Sequence, residues 1–149
     1  MIEGIAETTS SLVKIYSGAL SDKLRRRKGL TVTGYGIAAL ATPILLVARS
    51  WGLVLLYRFL DRVGKGVRTA PRDALLADST KPEKRGTAFG IHRAADSAGA
   101  FVGLLISIGI VYRLQPGIVQ LSEDTFRAIV AWSLVPSFLA VGVIWVGVR

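Results

Sequence analysis

The sequence has no cysteine, one histidine and one methionine in 149 residues. Without cysteine it has no disulfide framework and no thiolate metal site. A single histidine and ten acidic residues leave little from which to build a metal cluster. No nucleophile–base or metal-ligand constellation marks an enzyme, and no cofactor is called for. No basic stretch precedes the first apolar segment, so a secretory leader of the usual form is not expected. Acidic residues are also scarce relative to the nineteen Lys and Arg, which leaves a formal charge of +9. That excess suits nucleic acid or an anionic membrane surface, and by itself selects neither.

What the chain does have is apolar length. Residues 30–48 run nineteen positions without a charge, residues 128–148 run twenty-one, and residues 97–112 run sixteen. The first two are each long enough to cross about 30 Å of hydrocarbon as a helix, and the third needs a few residues before it. Two full runs and a third nearly complete make a buried core helix a poor explanation. They point to an all-α, polytopic membrane protein with lipid as its main partner. A soluble nucleic-acid binder, the other reading of the charge, would not carry such runs.

The charges between the runs give a topology. Residues 22–29 hold five Lys and Arg and residues 81–86 hold three, whereas Arg49 stands alone and residues 113–124 carry one net negative charge. Short Lys/Arg-rich loops stay in the cytoplasm. The helices that follow the two basic loops therefore both run outward, and a return crossing must lie between them. Only residues 51–70 are available for it. The reading is a single transmembrane domain with five spans near residues 2–20, 30–48, 51–70, 87–112 and 126–148. Residues 21–29 and 71–86 are then cytoplasmic, and the N-terminus is outside.

Three of these spans carry charges that lipid would not accept. A charge facing hydrocarbon at mid-helix costs about 2.5–3.5 kcal/mol, so three on one span would cost about 8–10 kcal/mol. The spacing removes the difficulty. Arg58, Asp61, Arg62, Lys65, Arg68 and Arg72 recur at steps of three and four and share one helical face. Glu3, Glu7, Lys14 and Gly18 form a second stripe; His92, Asp96, Gly99 and Gly103 form a third, with Arg93 beside it. Three polar faces at similar depth predict a central cavity holding Glu7, Lys14, Arg58, Asp61, Arg62, Arg93 and Asp96. Local ion pairs such as Arg58–Asp61 or Arg93–Asp96 are the structural alternative. They leave surplus positive charge, as an anion-accepting or proton-coupled cavity would have. The spans at 30–48 and 126–148 carry no such stripe and read as outer scaffold. Gly64, Gly66, Gly99 and Gly103 are candidates for close helix packing.

Two motifs carry a resemblance. The segment Gly18-x-x-x-Asp22-Lys23-x-x-Arg26-Arg27 is similar to the loop signature between the second and third helices of the major facilitator superfamily. The run RFLDRVGKG (58–66) resembles that family's fourth-helix motif, with Arg62 in place of a glycine. Arg25 replaces the second glycine of the loop signature, and the fifth-helix element with a Gly-Pro pair found in antiporters is absent. The run GKGVRTAPRDALLADS is similar to one prokaryotic permease branch. The resemblance covers nearly the whole chain and implies helices two to six of a twelve-helix transporter, an incomplete N-terminal six-helix bundle.

It further implies secondary active transport of a small solute across the cytoplasmic membrane by alternating access, with proton coupling through Arg58 and a partner carboxylate as one option. Gly18, Asp22, Lys23, Arg26 and Arg27 would form a cytoplasmic gate. A first helix and a C-terminal half, or a partner chain, would complete the protein. A membrane scaffold that moves nothing, or a truncated product without function, is the competing reading.

Overall fold

A computed structural model of the chain describes residues 2–24, 27–115, 117 and 120–147, with the side chains of its first helix described over residues 9–23. Five long helices follow one another: α1 (Ile2–Leu24), α2 (Arg27–Ala41), α3 (Trp51–Asp78), α4 (Arg85–Leu114) and α5 (Glu123–Gly147). No strand occurs among the described residues. The chain is all-α.

Proline shapes three of the helices. Pro43 has no N–H to return to the preceding turn, and α2 tightens there into a 3₁₀ segment, Thr42–Leu46. Pro82 opens a second, shorter 3₁₀ turn, Pro82–Lys84, that leads into α4. Pro71 lies inside α3 and is fully buried. Its missing N–H frees the carbonyl of Val67, one turn earlier, and the α1 side chain Ser17 Oγ donates to that oxygen at 2.5 Å. The helix continues through the proline to Asp78, so the cytoplasmic segment read from residue 71 begins as a helical extension of α3, as its sequence suggests.

Glycine sets the spacing of the inner helices. A Cβ on Gly64 of α3 would stand 2.8 Å from the Gly34 carbonyl oxygen of α2, and one on Gly34 would stand 2.8 Å from the Gly64 carbonyl oxygen. On its other flank, a Cβ at Gly66 would stand 2.8 Å from both the Ser10 carbonyl oxygen and Val13 Cβ of α1. Helix α3 is therefore the centre of the bundle, with α1 and α2 pressed against it backbone to backbone. Helix α5 packs on α2, and α4 lies along α5 with lighter contact to α3. No residue of α4 is buried.

End contacts fix the order of directions. Arg27, at the start of α2, bonds Asp22 near the end of α1 and Asp78 at the end of α3. Arg85, opening α4, donates to the Ala77 carbonyl at 3.1 Å. At the opposite end residues 48–51 share a cleft with Glu123 and Arg127 of α5. The helices thus alternate up and down.

The surface is inverted relative to a water-soluble bundle. The buried apolar residues are Ala39, Ala41 and Val130 alone among the described residues, while Ile15, Phe101, Trp145 and Val146 are more than half exposed. The accessible area is 10415 Å². A compact globular chain of this 16.0 kDa mass would show about 7,400 Å². Arg27–Leu46, Pro82–Leu114 and Glu123–Gly147 are long and apolar enough to cross a membrane. The first and third of the charged stripes sit on α3 and α4, and the run of charges keeps α3 itself outside that set.

Candidate functional site: two polar clefts along the third and fourth helices

Helices α3 and α4 run antiparallel, and two clefts are stacked between them. The first, of about 360 Å³, lies toward the end where α3 finishes and α4 begins. Lys14 reaches it from α1; Thr69, Arg72 and Asp73 line it from α3; His92, Arg93 and Asp96 line it from α4. Arg72 is the hub. Its Nε and Nη2 donate to Asp73 Oδ1 at 3.2 and 3.1 Å, and its Nη1 stands 3.8 Å from Asp96 Oδ2. His92 Nδ1 lies 3.5 Å from the same Asp96 oxygen, one helical turn away. As a guanidinium between two carboxylates, Arg72 is a fixed positive charge in the cleft.

The second cleft, of about 590 Å³, lies roughly three turns of α3 further on. Asp61 and Arg68 face it from α3, Gly99 and Ala100 from α4. Tyr35 of α2, Thr42 of the 3₁₀ segment that follows it, and Pro136 and Ser137 of α5 close the other sides. The Arg68 guanidinium carbon sits 4.4 Å above the centre of the Tyr35 ring, a cation–π contact that anchors the cation without neutralising it. Tyr57, one turn before Asp61, completes the lining.

The predicted cavity residues are thus distributed rather than gathered. Lys14, Arg93 and Asp96 meet in the first cleft, and Asp61 lines the second. Arg58 is exposed and Arg62 half-buried; neither lines either cleft, although both are engaged in other interactions. The Glu7 side chain lies outside the described residues. Asp96 is held by Arg72 and His92 and not by its neighbour Arg93. Among the packing glycines, Gly64 and Gly66 make the close crossings described above. A Cβ at Gly99 or Gly103 would meet nothing within 4 Å.

At the end shared by four helix termini, Arg27 ties three elements together. Its guanidinium bonds Asp78 of α3, reaches Asp22 Oδ1 at 3.4 Å, and donates to the Ala74 carbonyl at 3.5 Å. A Cβ on Gly18 would meet Ala70 Cβ at 3.4 Å, ordinary contact between α1 and α3. Lys23 is exposed. Arg26 lies outside the described residues.

Tyr35, Tyr57, Thr42, Pro136 and Ser137 lie outside the charged stripes that mark the cavity in the sequence, and α2 and α5, which have no stripe, read there as scaffold. Both helices form walls of the larger cleft, using hydroxyls and small residues that a membrane helix carries at little cost. The signal available was Tyr35 next to Gly34, whose missing side chain brings α2 against Arg68 of α3.

The sequence profile of the Major Facilitator Superfamily matches residues 4–149, essentially the whole chain. The chain belongs to that superfamily. This facilitator chain is 38% identical, over 77% of its length, to an MFS-type transporter of Methanocaldococcus jannaschii described as uncharacterized, of which the match covers 29%. It is 28% identical over 89% of its length to an uncharacterized protein of Mycobacterium tuberculosis, covering 34% of that chain. It is 29% identical over 88% of its length to the multidrug resistance protein MdtH of Cronobacter sakazakii, covering 33% of that protein. The facilitator chain therefore spans about a third of the length of the curated relatives it matches. No solved structure matches it significantly. Family membership and the three long apolar helices make it a multi-pass membrane protein.

Proposed function

We propose that this chain forms one wall of the translocation path of a secondary transporter in the cytoplasmic membrane, acting as part of a longer facilitator protein that moves a small solute by alternating access. The observation that carries the reading is the pair of polar clefts. Charged side chains from α1, α3 and α4 sit about 9–15 Å inside helix ends, at depths where lipid contact would cost about 2.5–3.5 kcal/mol each. The clefts give those charges somewhere else to point.

In this reading all five helices cross the membrane, α3 being shielded on two flanks by α1 and α2. The end bearing Asp22, Arg27, Asp78 and Arg85 faces the cytoplasm, in keeping with its basic excess. Asp22, Lys23, Arg26 and Arg27 form a gate whose contacts break and re-form as the halves rock. Asp61 and Asp96 are candidates for the protonated carboxylate of a coupled cycle. The name of the relative from Cronobacter supports small organic solutes as substrates.

The test is uptake and export by the complete gene product in proteoliposomes, across a solute panel, with and without a proton gradient. Gradient-dependent accumulation of any solute supports the reading. No flux of any solute, together with unchanged accessibility of both faces, supports a non-transporting scaffold instead.

A further inference from the structure

The first cleft is charged unevenly, and the surplus lies where it can be used. Three cations, Lys14, Arg72 and Arg93, meet two carboxylates, Asp73 and Asp96. Both carboxylates are taken up by Arg72, and Asp96 also by His92. Lys14 and Arg93 have no ion-pair partner among the described residues. Each stands well inside its helix, Lys14 about 15 Å from the end of α1 and Arg93 about 12 Å from the start of α4. Both side chains are exposed, and within a membrane neither can be left facing hydrocarbon, so the cleft is where they turn. Lys14 from α1 and Arg93 from α4 bring one ammonium and one guanidinium arm into the cleft that Arg72 lines from α3.

We propose that this cleft is a binding site for a small carboxylate- or phosphate-bearing anion, gripped by Lys14 and Arg93 while Arg72, held by Asp73 and Asp96, supplies a fixed positive wall. The proposal deepens the transport reading above and rests on it. Lys14, Arg72 and Arg93 against Asp73 and Asp96 leave one net positive charge, so a monoanion leaves the cleft neutral and a dianion leaves it with one negative charge. At about 30 Å³ per water, 360 Å³ holds about a dozen waters, room for an anion the size of succinate. Ser97 and Phe89 complete the lining with a hydroxyl and an apolar edge. A guanidinium can take two oxygens of a carboxylate or phosphate at once, and an ammonium binds either as a point charge. The same chemistry occurs on a free solute and on the headgroup of an anionic lipid.

The experiment is calorimetric binding of succinate and of inorganic phosphate to the complete gene product in a neutral detergent at constant ionic strength. Glucose and tetraethylammonium serve as neutral and cationic controls. Saturable binding of succinate that phosphate displaces and both controls leave untouched is the expected result. Lys14→Gln and Arg93→Gln should each weaken it at least tenfold, while Lys14→Arg keeps it, each variant being checked for monodisperse elution. No saturable binding of either anion overturns the proposal, as does undiminished binding in both glutamine variants. Repeating the titration in phosphatidylglycerol and phosphatidylcholine nanodiscs separates the sources: loss of succinate binding in phosphatidylglycerol alone assigns the site to a lipid headgroup and removes the anion as a substrate. Transport of a neutral or cationic solute without anion binding leaves the transport reading standing and ends this one; anion binding without any flux does the reverse.

Discussion

Ser17 of α1 hydrogen-bonds the carbonyl of Val67, the oxygen that Pro71 leaves without its helical partner. A proline in the middle of a buried helix normally costs a backbone bond; here the neighbouring helix restores it. Ser17→Ala should therefore lower stability in detergent by about 0.5–2 kcal/mol, the range for a helix–helix hydrogen bond in membrane proteins. In a Pro71→Ala background the N–H of residue 71 can take over, and the same Ser17 change should cost almost nothing. Thermal unfolding of the four proteins in the cycle measures this coupling. Equal costs in both backgrounds would show that the bond is independent of the proline.

The glycines divide into two classes that a stability scan can separate. Gly34→Ala, Gly64→Ala and Gly66→Ala each place a Cβ within 2.8 Å of a neighbouring helix. Overpacking of this kind costs about 1–3 kcal/mol. Gly99→Ala and Gly103→Ala enter open space and should change stability by less than about 0.5 kcal/mol. Melting temperature and yield of monodisperse protein read the difference. A loss at Gly103 matching that at Gly64 would mean that another element packs on α4 in the complete protein.

At the gate end, Arg27 bonds two aspartates, both more than half exposed. Exposed ion pairs contribute little, about 0.2–1 kcal/mol, so Arg27→Gln should barely alter unfolding. Its effect belongs in the transport cycle, where the contacts of one conformation are lost. Flux should fall by an order of magnitude or more, and Arg27→Lys should recover part of it, since lysine keeps the charge and loses the forked geometry. Stability loss in proportion to the loss of flux would make Arg27 a structural tie and not a gate residue.

Legibility followed charge. The helical class, the five helices and the charged face of α3 could be read from apolar run length, loop charge and spacing at three and four. So could the loop motif, because its glycine, aspartate and arginines stand at fixed intervals. The partition of the charges was hidden. Spacing puts Asp61 and Arg72 on one face, but which opposing residues meet them depends on how α4 and α5 pack, and no local pattern encodes that. Arg72 was visible on the stripe, yet its role as partner of both Asp73 and Asp96 joins residues across α3 and α4. The bond from Ser17 to Val67 spans fifty positions and follows from Pro71 only once α1 and α3 are known to touch.

Asp61 and Asp96 should separate in behaviour. For the complete gene product, Asp61→Asn and Asp96→Asn are each expected to abolish gradient-driven transport while leaving membrane insertion intact. Asp96→Asn also removes one of the two carboxylates on Arg72, so it should lower stability more than Asp61→Asn does. Gradient-driven flux retained in both variants would remove a coupling role from the two carboxylates.

In the proposed transporter the clefts beside α3 hold water and not lipid or packed protein. The sequence has no cysteine, so cysteines introduced into this chain report on their own positions. Ala100 lines the larger cleft, whereas Leu104, one turn further along α4, is an exposed apolar residue. Labelling of Ala100→Cys and Leu104→Cys by a membrane-impermeant thiol reagent, in sealed vesicles, tests the claim directly. Ala100→Cys should react and Leu104→Cys should not. Ala100→Cys as inert as Leu104→Cys would contradict it.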